Sequence, residues 1–172
     1  RTPIGDAIAL EATRLIGSSL VAAYRDGSDR PARSAMACGA TMAGLTMNIA
    51  DCSAEHSLAQ ALGGEYHAPH GLTIGLVFAE TLEREQAHVP GQLERVAAVL
   101  GLPDDGSRDG SRTVGWVREL LAQLEFPVLS SLGVEEADLD RLTALAQADY
   151  FIPQAPAPWS DAEVRGAFAR TL

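Results

Sequence analysis

Three of the four histidines, His56, His67 and His70, fall in the stretch from Asn48 to Leu76, NIADCSAEHSLAQALGGEYHAPHGLTIGL. Neutral imidazole is a ligand for divalent metal ions, so the spacing of these rings is the first feature to weigh. His56 and Gln60 are four apart and share one face of a helix. Gly63-Gly64 is expected to stop that helix, and a short loop then carries the chain through His67, Pro69 and His70 into a new apolar helix. A helix-loop-helix of this kind can bring His56 and His70 together. Two imidazoles are still an incomplete site, because catalytic metals usually hold three protein ligands or more.

The nearby acidic and thiol groups do not complete it. Asp6 lies in the first turn of a helix, where the dipole favours a carboxylate for structural reasons alone. Glu55, one residue from His56, points about 100° round the helix from it, and Asp51 is no better placed. Cys52 lies one turn before His56, but a small buried thiol in an alanine-rich helix pair is its expected role.

The elements that must position these residues read as helices throughout. Thr2-Pro3 is a cap and first turn for a helix running to Tyr24. Ala32 to about Ala50, rich in alanine, glycine and methionine, reads as a central helix crowded on several sides. His70 to about Gln86 has Leu72, Leu76, Val77 and Leu82 towards a core, with Glu83, Arg84 and Glu85 leading out to solvent. Pro90 opens a helix that Gly101 ends, and further helices are expected over Thr113–Leu124 and from Val134 to about Ala148. Ser160 and Glu163 form a capping box into a last short helix. No convincing period-2 alternation occurs, so the fold class is all-α, with seven or eight helices in a single domain over 1–172.

The balance of 13 basic against 23 acidic residues, a net charge of −10, disfavours nucleic acid and anionic membrane surfaces. No apolar run is read as approaching the ~20 residues of a membrane span. Cys38 and Cys52 have neither CxxC spacing nor disulfide-scaffold density, which gives a reducing, cytoplasmic setting as the expectation. No glycine loop has the spacing that cradles a nucleotide phosphate. Arg1 in place of methionine, with a helix starting almost at once, is expected of a segment of something longer.

The segment AGLTMNIADCSAEHSLAQALGGEYHAPHGLTIGLVFAETLE resembles the metal-binding region of the iron-containing (group III) alcohol dehydrogenases, and PQAPAPWSDAEVRGAF resembles their C-terminal end. The resemblance covers essentially the whole chain and is to the family's all-helical C-terminal domain. It implies Fe(II), or Zn(II), held by an Asp and a His of a D-A-x-x-H segment and by two later histidines, which fall on His56 and His70. It also implies NAD or NADP as hydride carrier, a small-molecule alcohol or aldehyde as substrate, and a homodimer or higher homo-oligomer. Gln60 occupies a position near the nicotinamide where many members carry a second His. Met47 lies on the segment lining the substrate pocket, with His67 a further candidate for substrate contact. Asp6-Ala7 imitates the start of D-A-x-x-H, but Leu10 stands where its His would be. Two of four ligands and the N-terminal dinucleotide-binding domain with its GGGS loop are therefore expected to be missing, no catalytic residue beyond the metal ligands is expected here, and the isolated chain should not turn over. A glycerol dehydrogenase-like zinc enzyme fragment and a non-catalytic helical scaffold module are the competing readings.

Overall fold

The computed structural model describes residues 2–172. Among them it contains eight α-helices and three short 3-10 turns, with no strand. The helices are α1 (Pro3–Arg25), α2 (Arg30–Ala50), α3 (Ala54–Tyr66), α4 (His70–Gln86), α5 (Pro90–Val99), α6 (Ser111–Gln123), α7 (Leu139–Gln147) and α8 (Asp161–Arg170). The all-α expectation holds, as does the number of helices. The chain divides into two compact units: residues up to Asp51 with Val89–Leu124, and Cys52–His88 with Glu125–Leu172.

The first unit packs α1 on α2 and α5, and α5 on α6. Thr2 caps α1, its Oγ1 accepting from the Gly5 amide at 3.1 Å, and Asp6 in the first turn pairs with Arg95 at 2.6 Å. The α1–α2 contact is built on small residues. Ala12, Ala23, Ala32 and Gly39 are buried, and a Cβ on Gly39 would lie 2.8 Å from Ile16 Cγ1 and 3.3 Å from the Ala12 carbonyl. Two of the sequence expectations fail here. Helix α2 is not crowded on several sides: Ala32 and Gly39 are its buried residues, and Leu45, Met47 and Ile49 are exposed. Helix α1 is long and apolar enough to cross a membrane by length and composition, with a mean hydropathy of 1.2. Alanine, leucine and isoleucine spread through the helix reach that value over an 18-residue window without any one dense apolar run.

The second unit packs α3 on α4 and α7, and α8 on α4 and α7. Leu58, Leu62, Val77, Leu129, Leu139, Leu142, Val164 and Phe168 are fully buried in one cluster, each contributing about 1.5–3 kcal/mol by removal from water. The expected capping box is present at α8, where Ser160 and Glu163 satisfy one another's backbone amides.

Two expectations about this unit are corrected. Gly63-Gly64 does not end α3, which runs on to Tyr66. The inner stripe of Leu58 and Leu62 is carried past the pair by Tyr66, which packs half-buried against the same cluster, and the helix stops at His67, whose left-handed backbone (φ 52°) caps it. Pro69 just beyond disfavours helical backbone at Ala68. Nor do Glu83, Arg84 and Glu85 all lead out to solvent, since Glu85 is buried. Thr73, Val77, Thr81 and Glu85 recur every four residues and are all buried, so Glu85 lies on the inner stripe of α4. Arg84 lies over the Trp159 ring at 4.6 Å, bonds Glu163 at 3.0 Å, and donates to the carbonyls of Ala157 and Pro158.

Candidate metal centre

The inner face of α3 fixes the rotation of that helix and thereby the direction of His56. Ser53 is its N-cap but makes no side-chain cap bond; its hydroxyl instead donates to Glu85 Oε1 at 3.0 Å. Ser57, fully buried, donates to Asp149 Oδ1 at 2.6 Å, and the same oxygen accepts from the Phe151 amide at 2.9 Å. This tie sets Phe151 against His56, edge to face at 5.7 Å between ring centroids.

His70 is the first residue of α4, after the N-cap Pro69. The Pro69 carbonyl accepts from the amides of Leu72 and Thr73, and the buried Thr73 hydroxyl donates to the His70 carbonyl at 2.9 Å. The first turn of α4 is thus held, and the His70 ring stands 5.4 Å from the His56 ring, tilted 48°.

These dimensions suit one shared ion. With metal–nitrogen bonds of about 2.0–2.1 Å, two imidazoles on a tetrahedral centre have ring centroids roughly 5 Å apart. His56 Nδ1 is 3.0 Å from Glu55 Oε1, which engages one ring nitrogen and leaves the lone pair on the other. Among the described residues no group of three or more His, Cys, Asp or Glu could hold a metal, and His56 and His70 are the two imidazoles brought into ring contact.

The other candidate residues are more scattered. His67 is exposed at the C-cap of α3, and among the described residues no ring contact joins it to the pair. Gln60, one turn beyond His56, is exposed and borders a shallow groove with Ala61, Gly64, Leu145 and Asp149. Met47 sits in the first unit, 47% exposed. Cys52 lies before α3 begins, so it does not share a helical face with His56. Sequence reasoning missed the role of Glu55 and the contributions of Glu85, Asp149 and Phe151. For Glu85 the four-residue recurrence along α4 was a usable signal; for Asp149 and Phe151, more than ninety residues from His56, no local pattern exists.

Burial pushes the Glu85 carboxyl above the usual carboxylate range, helped by the nearby Glu55 charge and opposed by bonds from Ser53 and Trp159. Arg84 has the opposite effect on Glu163, whose carboxyl is held down to about 2, chiefly by their hydrogen bond and further by the Ser160 cap.

The described residues define a class: a helical domain in which two imidazoles converge from consecutive helices. The chain belongs to the Fe-containing alcohol dehydrogenase family, whose C-terminal family model matches residues 1–172. It is 34% identical to alcohol dehydrogenase 4 of Saccharomyces cerevisiae over 148 residues, covering 86% of this chain and 38% of that protein. It is 31% identical to 1,3-propanediol dehydrogenase of Citrobacter freundii over 151 residues, covering 86% of this chain and 39% of the relative. Among solved structures, a 1,3-propanediol oxidoreductase superposes with a TM-score of 0.95 at 27% identity, over 99% of this chain and 46% of that one. An alcohol dehydrogenase from Oenococcus oeni gives 0.93 at 25% identity, with the same coverage. The chain therefore spans less than half the length of these relatives.

Proposed function

We propose that these residues form the metal-binding helical domain of an NAD(P)-dependent alcohol dehydrogenase, which oxidises an alcohol or reduces an aldehyde or ketone by hydride transfer. The observation that carries this reading is the approach of His56 and His70 to 5.4 Å in a chain of the Fe-containing alcohol dehydrogenase family. In this reading the two imidazoles supply half of the ligand set. The remaining ligands and the dinucleotide-binding domain come from sequence outside these residues, and the working enzyme is a homo-oligomer of the cytoplasm.

Bound by the pair, Fe(II) or Zn(II) supplies Lewis acidity towards a substrate oxygen. The work of this chain is to hold and orient. His56 is held by its contacts with Glu55 and Phe151, and the backbone of His70 by the first turn of α4. Gln60 offers an amide towards the nicotinamide, able to hydrogen-bond but not to relay a proton as an imidazole would. His67, exposed at the end of α3, is the candidate for substrate contact in this unit, and Met47 is a separate candidate in the first unit.

The test is NAD(P)-linked oxidation of short alcohols by the full-length protein, with metal analysis, beside His56→Ala and His70→Ala. Each variant is expected to lose metal and activity together. Wild-type metal content and turnover in both variants would refute the assignment. Unaided alcohol oxidation by the isolated 172-residue chain would refute the claim that further ligands and a nucleotide domain lie outside it.

A further inference from the structure

Which nitrogen of His56 faces the ion depends on where the ring proton sits. In water a neutral imidazole carries its proton mostly on Nε2, and a protonated nitrogen cannot donate a lone pair. Glu55 Oε1 stands 3.0 Å from Nδ1, with both side chains about four-fifths buried (18% and 20% exposed). A carboxylate only accepts, so Nδ1 must donate, and the lone pair is left on Nε2.

Glu55 is itself anchored. Its Oε1 accepts from the Ser53 amide at 3.3 Å, the Ser53 hydroxyl donates to Glu85 at 3.0 Å, and Glu85 accepts from Trp159 Nε1 at 3.3 Å within the core. A chain of bonds thus runs from a buried tryptophan to one nitrogen of His56. Phe151, edge to face with the ring at 5.7 Å, restricts its rotation.

We propose that Glu55 is a positioning residue for the metal centre: it locks His56 in the Nδ1–H tautomer, aims Nε2 at the ion, and is held by the Trp159–Glu85–Ser53 chain. The proposal rests on the metal-binding reading above. The same Glu55 oxygen is already taken up by His56 Nδ1 and the Ser53 amide, which suits it to this indirect role. Partners of this kind typically set metal affinity by about 10–100-fold.

The experiment joins two readouts on the full-length protein. Long-range nitrogen–proton correlation spectra of the histidine rings in the metal-free state are expected to show His56 as Nδ1–H in wild type and in Glu55→Gln, whose amide oxygen still accepts. Glu55→Ala is expected to shift His56 to mostly Nε2–H. Zn(II) titration should show affinity falling about 10–100-fold in Glu55→Ala and far less in Glu55→Gln. An unchanged tautomer in Glu55→Ala, affinity within twofold of wild type in that variant, or a loss in Glu55→Gln as large as in Glu55→Ala would each overturn the proposal. Unchanged metal content in His56→Ala would instead defeat the metal reading, while the tautomer spectra would still judge Glu55.

Discussion

The α1–α2 contact of the first unit and the core of the second are packed on different principles. The first brings α1 and α2 together through alanine and glycine, with Ala12, Ala23, Ala32 and Gly39 buried and Leu45, Met47 and Ile49 left exposed. The second buries a continuous cluster of leucine, valine and phenylalanine, and the histidine pair stands on its edge. Small-residue packing gains stability from close backbone approach and tolerates no added volume, whereas large-residue packing gains it from area and tolerates no lost volume. The metal site proposed for this pair would need its side chains fixed to within about 0.5 Å. For His56 the second unit supplies this, because α3 can turn no further than Leu58, Leu62 and the Ser57–Asp149 bond allow.

The contrast is open to direct attack. The largest effect is expected from Phe168→Ala, which empties the centre of the second cluster and should cost about 3–5 kcal/mol. Hydrogen exchange should then quicken first at α3 and α8, and slow exchange retained there would mean that this cluster does not hold the second unit. Gly39→Ala attacks the first unit from the opposite side. Its Cβ would sit 2.8 Å from Ile16 Cγ1 and 3.3 Å from a main-chain oxygen, an overpacking expected to cost about 1–3 kcal/mol. A melting temperature equal to wild type would show that α1 and α2 are not in such close contact.

A gentler probe is Glu85→Gln, which keeps an acceptor for Ser53 and Trp159 but removes the titration. Because the folded-state pKa of Glu85 is raised, the native protein holds this proton more tightly than the unfolded chain. The resulting stability is complete below the usual carboxylate range and is lost as pH rises through the raised value. The variant should therefore show a flatter pH dependence above that range and gain relative stability towards neutral pH. Urea midpoints measured across pH check this, and parallel profiles for the two proteins would contradict it. Glu163, held down to about 2 with Arg84 beside it, contributes in the opposite sense, losing its effect only as pH falls towards that value.

Much of the fold was legible because it is local. The Thr2 cap, the Pro90 start, the Gly101 stop and the Ser160–Glu163 box are written in adjacent residues, and each is where the spacing predicts. Gly63-Gly64 misled because glycine weakens a helix without ending it where the buried face continues; the true stop needed the left-handed His67 and the following Pro69. Glu85 misled because a charged run reads as solvated unless the four-residue recurrence of Thr73, Val77 and Thr81 is followed into it. The approach of His56 to His70 was legible as one helix-loop-helix. Phe151 and Asp149 were not, since their place beside α3 is decided by the packing of α7, far along the chain.

The central claim is that His56 and His70 share one ion. A crystal of the full-length protein loaded with Zn(II) or Fe(II), measured at the metal's absorption edge, tests it most directly. The account predicts an anomalous peak within bonding distance, about 2.0–2.3 Å, of His56 Nε2 and of a ring nitrogen of His70. A metal bound elsewhere, or one that engages only one of these rings, would contradict it.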